Sequence, residues 1–339
     1  MAAPRSSELF FGEDRSHGGE RIGNHACGRL NHAHAPVRQR RAGSGVDNMT
    51  ETLSADSLRN ADFELAVSSR SGRIVRYARI GGPNVLWTNP RPQEAKTPFK
   101  GWLNWGGDKV WIWPEEDWKV WTGIKQPPGD PAIEPYTVEV HGLHMRMVSP
   151  VIAEYGVRIV REITLARSGP RVTLENRIEK VAACRFDLPV APWIVTQLPA
   201  PRHIYARISS AVTGIGYQNF PPNPWDGVQS IGRVRVMERP ASPWVKMGLD
   251  ADILAVPVSQ DLFISRVVVP ASGVYEPYRR AQVFSDPDNS DFRPKGIGPY
   301  IEFEFTAPVT RLKPGETNSM TVIWDLEQPR DIPALLESL

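Results

Sequence analysis

Residues 300–306 read YIEFEFT. In an extended strand successive side chains leave by opposite faces, so Glu302 and Glu304 share one face and Phe303 and Phe305 the other. Two carboxylates on one partly dry face raise each other's proton affinity, which suits general acid–base work near neutral pH. The spacing alone fits a solvated outer face equally well. A second polar set is threaded through indoles. Residues 101–118 read GWLNWGGDKVWIWPEEDW, five tryptophans in eighteen positions, and Trp121 follows three residues later. Between these rings stand Asn104, Asp108, Lys109, Glu115 and Glu116. An indole face suits the apolar C–H patch of a pyranose, and flanking donors and acceptors suit its hydroxyls. The expectation is a wet, ligand-facing role for part of this segment, although the same composition would serve a protein-binding patch.

The run APWIVTQ (191–197) places Trp193, Val195 and Gln197 on one strand face, an indole and an amide that fit a sugar ring and one hydroxyl. A buried, satisfied Gln197 is the competing reading. Trp87 and Trp324 sit inside β-like runs and read as core. Gly106-Gly107 ahead of Asp108-Lys109 makes no phosphate cradle, because neither GxxxxGK[ST] nor a strand–GxGxxG–helix pattern is present. No HxH, HExxH or clustered Asp triad occurs in the region after the tail, so neither a metal nor another cofactor is expected.

The elements that must position these residues are strands. Period-two alternation recurs in FELAVSS, GRIVRYARIG, YTVEVHGLHMRMVSP, GVRIVREITLARSG, RVTLENRIEKV, GRVRVMERP, LFISRVVV, YIEFEFTAPV and SMTVIWDL. Thirty-two prolines and twenty-seven glycines punctuate them, and only PALLESL reads as a short helix. The pattern predicts an all-β chain, one large antiparallel sandwich over residues 49–339. VHGLH (140–144) reads as a hairpin with His141-Gly142 in its turn, which leaves His141 and His144 as surface residues; LKPGET (312–317) reads as a Pro-Gly turn with Gly315 at positive φ.

Residues 1–48 are different: seven Arg, no Lys, four of the seven His and no apolar periodicity. They read as a disordered tail, with Met49 a candidate true start. His25, Cys27, His32 and His34 lack paired zinc-type spacing. The formal charge of +2 gives no general argument for nucleic acid or an anionic membrane. No apolar run is long enough to span a bilayer and no signal-like h-region is present, so a cytoplasmic location is expected.

Four pieces carry a family resemblance: GGPNVLWTNP (81–90), GGDKVWIWPEEDW (106–118), APWIVTQLPAP (191–201) and PYIEFEFTAPVTRLKPGE (299–316). Lying in order over most of residues 58–327, they make the chain resemble the galactose mutarotase-like supersandwich proteins, and more narrowly a bacterial branch of them. The resemblance implies a supersandwich with a sugar-sized cleft on its concave face, an aldose 1-epimerase-like isomerase that needs no cofactor, and a small-molecule sugar or oligosaccharide as partner. In that family a glutamate removes the anomeric hydroxyl proton and a histidine protonates the ring oxygen. Glu302 matches the glutamate first and Glu304 second. VAPWIVTQ matches the strand that carries the imidazole, but puts Trp193 in its slot, and indole has no useful proton to give. His203, ten residues on, is the imidazole that could reach the cleft. Asn104, Lys109, Trp111, Trp113, Glu115, Trp193 and Gln197 are the expected sugar contacts. Binding is therefore expected more firmly than epimerisation, and the alternative is a non-catalytic module for an oligosaccharide or protein.

Overall fold

Val172–Lys180 shows how an alternating run resolves: Val172, Leu174, Asn176, Ile178 and Lys180 are buried, and the residues between them are half exposed. The same rule, repeated, builds two antiparallel sheets. The structure is a computed structural model that describes residues 56–96, 102–118, 127, 135–184, 188–211, 214–268, 275–328 and 330–339. The expectations for residues 1–48 and for Trp121 lie outside the described residues.

The first sheet has nine strands in the order β1 (Ser57–Arg59), β2 (Phe63–Ser68), β3 (Arg73–Arg79), β4 (Asp108–Trp113), β9 (Ala191–Pro199), β18 (Tyr300–Thr306), β17 (Ala281–Ser285), β14 (Val245–Leu249) and β11 (Tyr217–Phe220). The second has ten, in the order β12 (Val228–Ile231), β13 (Val234–Glu238), β10 (His203–Ile208), β15 (Ala251–Val258), β16 (Asp261–Val268), β19 (Thr317–Glu327), β8 (Val172–Lys180), β7 (Val157–Leu165), β6 (His144–Val148) and β5 (Thr137–His141). The chain is an all-β sandwich with a single short α-helix among the described residues, α1 (Ile332–Ser338), whose N-terminus Asp331 caps by accepting from the Ala334 amide. No helix among the described residues is long and apolar enough to cross a membrane.

The inner faces meet through large rings. Phe303 of β18 packs 6.4 Å from Phe263 of β16, which packs 5.5 Å from Trp324 of β19. Trp324 is core, as the sequence suggests, and Trp87 is also buried, its indole donating to the Gly298 carbonyl. One buried polar tie crosses between the sheets. Arg161 of β7 donates to Asp108 of β4 and to Asn176, and Asp108 also accepts from Thr196. Burial raises the Asp108 carboxyl above its ordinary range, while Arg161 and Thr196 pull it back. Asp108 therefore points inward and is no partner for a ligand on the other face, which corrects the expectation that it flanks a sugar.

Two turns explain local sequence. His141 and His144 face one another across a two-residue turn of Gly142 and Leu143, so His141 ends its strand instead of occupying the turn. Gly107 has φ of +73°, and a Cβ there would come within 2.2 Å of the Ile74 carbonyl oxygen. The glycine pair before Asp108 exists because β4 must pass close to β3.

Candidate functional site

Spacing leaves open whether the outer face of the nine-stranded sheet is wet or dry. At its centre it is dry. Every residue of β4 and of β14 is buried, and so is all of β9 except its last residue. The face turned away from the second sheet thus holds buried side chains of two kinds, indoles and charged or amide groups.

The indoles form one connected body. Pairing sets Trp111 of β4 directly opposite Trp193 of β9. Their ring centroids are 5.3 Å apart, with Trp113 5.2 Å and Trp118 5.9 Å from Trp193, and Trp102 6.2 Å from Trp111. Most of these contacts are edge-to-face, the arrangement that the ring quadrupole favours. All five are at least nine-tenths buried, so the ligand-facing role expected for part of this segment does not fall on exposed ring faces: these rings wall a polar cluster.

Register builds that cluster. Glu302 of β18 lies opposite Gln197 of β9, Glu304 lies opposite Val195, and Gln282 of β17 lies opposite Glu304 on its other side. Gln197 Nε2 donates to Glu302 Oε1 at 2.8 Å, and Lys109 Nζ is 3.6 Å from the same oxygen. Glu304 Oε2 accepts twice at 3.0 Å, from Lys246 Nζ of β14 and from Trp193 Nε1. Lys109 and Lys246 also sit over indoles, 4.3 Å from the Trp111 centroid and 5.1 Å from Trp193. Glu115, buried on a short turn of Glu115–Asp117, adds a further negative charge to this field.

The electrostatics follow from dryness. Glu304 is 1% exposed, and burial pushes its carboxyl up to about 7, with the Glu302 and Glu115 charges adding and Lys246 opposing. Burial pulls the Lys246 ammonium down, but Glu304, Glu115 and Glu302 outweigh it and hold it above its ordinary value. Beyond Glu302, Tyr300 and Asp286 extend the face. Burial pushes Asp286 up to about 6 and raises the Tyr300 phenol, with Asn104 at its hydroxyl pulling the other way.

Among the buried polar atoms on this face without a protein hydrogen-bond partner are Gln197 Oε1, Glu304 Oε1 and Gln282 Nε2. They come from three adjacent strands and comprise two acceptors and a donor. Unpaired buried polar atoms are costly, and a cluster of them at one place fits a hydroxyl-bearing guest.

Of the residues that the sequence singles out, the structure brings together Glu302, Glu304, Lys109, Trp111, Trp113, Trp193 and Gln197, with Glu115 and Asn104 at the margins. It does not bring His203, which begins β10 in the other sheet, opposite Glu238. His141 and His144 also belong to that sheet, so no described histidine lies on the nine-stranded sheet. Sequence reasoning missed Lys246, Gln282, Asp286 and Tyr300. A lysine inside the apolar run WVKMGL was the available signal, and Tyr300 shares the parity of Glu302 and Glu304.

No protein-family model matches the chain, and no curated protein matches its sequence. Solved structures do match. An Escherichia coli candidate aldose 1-epimerase superposes with a TM-score of 0.52 at 14% identity, covering 81% of this chain and 99% of that one. A galactose mutarotase-like protein from Lactobacillus casei gives 0.52 at 9% identity, covering 80% and 99%. A galactose mutarotase related enzyme from Lactobacillus acidophilus gives 0.50 at 9% identity, covering 81% and 98%. The chain has the galactose mutarotase-like fold, as the sequence resemblance implies.

Proposed function

We propose that the chain binds a sugar on the outer face of its nine-stranded sheet, against the indole wall of Trp111, Trp113 and Trp193. The observation that carries this reading is the trio of unpartnered buried atoms, Gln197 Oε1, Glu304 Oε1 and Gln282 Nε2, beside that wall. A pyranose offers apolar C–H faces to rings and both donors and acceptors to such atoms. The ring-binding face carries the carboxylates of Glu302, Glu304 and Glu115 against the ammonium groups of Lys109 and Lys246, so it has no surplus of positive charge for the ring itself. Titrating intrinsic tryptophan fluorescence with a panel of aldoses and oligosaccharides tests this. A saturable change that Gln197→Leu weakens is expected. A flat response to every sugar refutes it, and a stable protein captured in its place favours the interaction-module alternative.

One feature favours catalysis in the same site: burial pushes the Glu304 carboxyl up to about 7, a range suited to proton transfer near neutral pH. In that reading Glu302, as carboxylate, takes the proton of the anomeric hydroxyl. The C1–O5 bond breaks, O5 takes the proton of Glu304, and C1 becomes an aldehyde. Rotation about C1–C2 and the reverse transfers close the ring as the other anomer. Trp193 contributes a fixed hydrogen bond to Glu304 and no proton. Polarimetry on fresh α-glucose and α-galactose tests it; relaxation no faster than in buffer removes the isomerase reading and leaves the binding one.

A further inference from the structure

A sheet that ends in an open strand leaves a row of backbone N–H and C=O groups for another strand to take. Among the described residues the two sheets have four such edges. Three end in short strands, β1 of three residues and β11 and β12 of four. The fourth, β5, has five, runs against β6 without a bulge, and carries neither Pro nor Lys to guard it. Its other side has no strand among the described residues. In a two-residue hairpin the closing pair, here His141 and His144, is hydrogen-bonded. Alternation from that pair points the N–H and C=O of Val138 and Val140 away from β6.

Both faces of β5 are incomplete. On the inner side Val138 and Val140 stand opposite Met147 and Met145, which are fully buried. Val138 packs against the core, but Val140 is 38% exposed, so the core stops short at this residue. On the outer side Glu139 and His141 are exposed. Arg146 and His144 stand across from them on β6, yet both turn to Glu162 of β7, at 3.2 and 3.1 Å. Arg177 of β8 joins the same carboxylate at 3.0 Å. Among the described residues Glu139 and His141 thus have no ion pair, and they share one face two positions apart.

We propose that β5 pairs antiparallel with β5 of a second copy of this chain, about a two-fold axis at Val140, and joins the two ten-stranded sheets into one. Inner face meets inner face only when residues of like parity stand opposite each other. Centring on Glu139 or on His141 sets like groups face to face, and centring on Val138 leaves His141 unmatched. Centring on Val140 sets Glu139 opposite the partner subunit's His141, twice over, in the non-hydrogen-bonded positions where side chains lie closest. An imidazole N–H donates to a carboxylate in either protonation state. In the same register Val140 exchanges both backbone hydrogen bonds with the partner subunit's Val140, and each covers the other's exposed side chain. The contact is isologous, so one carboxylate and one imidazole per edge satisfy both copies. The nine-stranded sheet takes no part in it, and the pairing is independent of sugar binding.

Sedimentation velocity on the full chain over a range of concentrations tests this. A contact of one short strand falls at the low end of specific interfaces, so a dissociation constant on the order of 10–100 μM is expected. Val140→Pro removes the N–H that crosses the axis and none that β6 uses, and is expected to abolish the dimer. Glu139→Lys sets a cation opposite the imidazole and is expected to weaken the dimer about tenfold. Adding His141→Glu gives each lysine a carboxylate and is expected to restore the affinity to within about threefold of wild type. Val140→Cys, in a chain also carrying Cys27→Ser and Cys184→Ser, is expected to cross-link on mild oxidation, because hydrogen-bonded Cα pairs about 5.5 Å apart lie within disulfide range. A chain that stays monomeric up to about 500 μM, well above that constant, overturns the proposal. So does a dimer that Val140→Pro and Glu139→Lys, both folded by thermal melt, leave intact, since another surface then carries it. A dimer in which the exchanged pair recovers nothing and Val140→Cys does not cross-link overturns the register and the charge pairing that selects it.

Discussion

Glu304→Gln tests the central claim, that the outer face of the nine-stranded sheet is dry enough to hold a carboxyl near neutrality. In the folded protein Glu304 keeps its proton up to about 7, whereas the ordinary value is 4.5. Between those limits the folded state binds more protons than the unfolded chain, so raising the pH favours unfolding. A difference of about 2.5 between the two states corresponds to about 3 kcal/mol of stability, fully present below pH 4.5 and lost as pH rises through 7. Glutamine has the same shape and no titration. Urea unfolding of wild type and Glu304→Gln at half-unit steps from pH 4.5 to 8 reads the effect together with the change at Lys246, whose ammonium Glu304 helps to hold charged, while Asp286, also raised by burial, titrates in both proteins. The wild-type stability minus that of the variant is expected to fall by about 3 kcal/mol over this range and then level off. A difference that is flat or rises with pH refutes the dry-face argument, and with it the reason for treating Glu304 as a proton carrier.

Two further predictions follow from other contacts. Trp193→Phe keeps a ring in the indole wall but removes the N–H that Glu304 accepts at 3.0 Å; a loss of about 1–2 kcal/mol in urea unfolding is expected, together with weaker sugar binding. Arg161→Leu leaves Asp108 buried between the sheets without its cation, at an expected cost of about 3–5 kcal/mol, and adding Asp108→Leu is expected to recover part of that in the same assay.

What the sequence by itself determined here is parity. Period-two runs follow from the pleat of a strand, so the all-β class, the shared face of Glu302 and Glu304, and the shared face of Trp193, Val195 and Gln197 were all legible. The positive φ of Gly315 in its Pro-Gly turn was legible for the same local reason. Parity does not say which face is dry. Lys109, Gln197 and Glu304 occupy a face that the spacing leaves open between water and interior, and the packing of the indoles around them makes those positions interior. Nor does parity say which strands are neighbours. Lys246 meets Glu304 across β17, although the two are 58 residues apart, and His203, close to Gln197 along the chain, is sent to the opposite sheet. Strand order and burial are set by long-range pairing, where the partner of each residue depends on chain far from it. The chemistry of this face, a carboxyl moved toward neutrality between a lysine and an indole, therefore belongs to the tertiary structure.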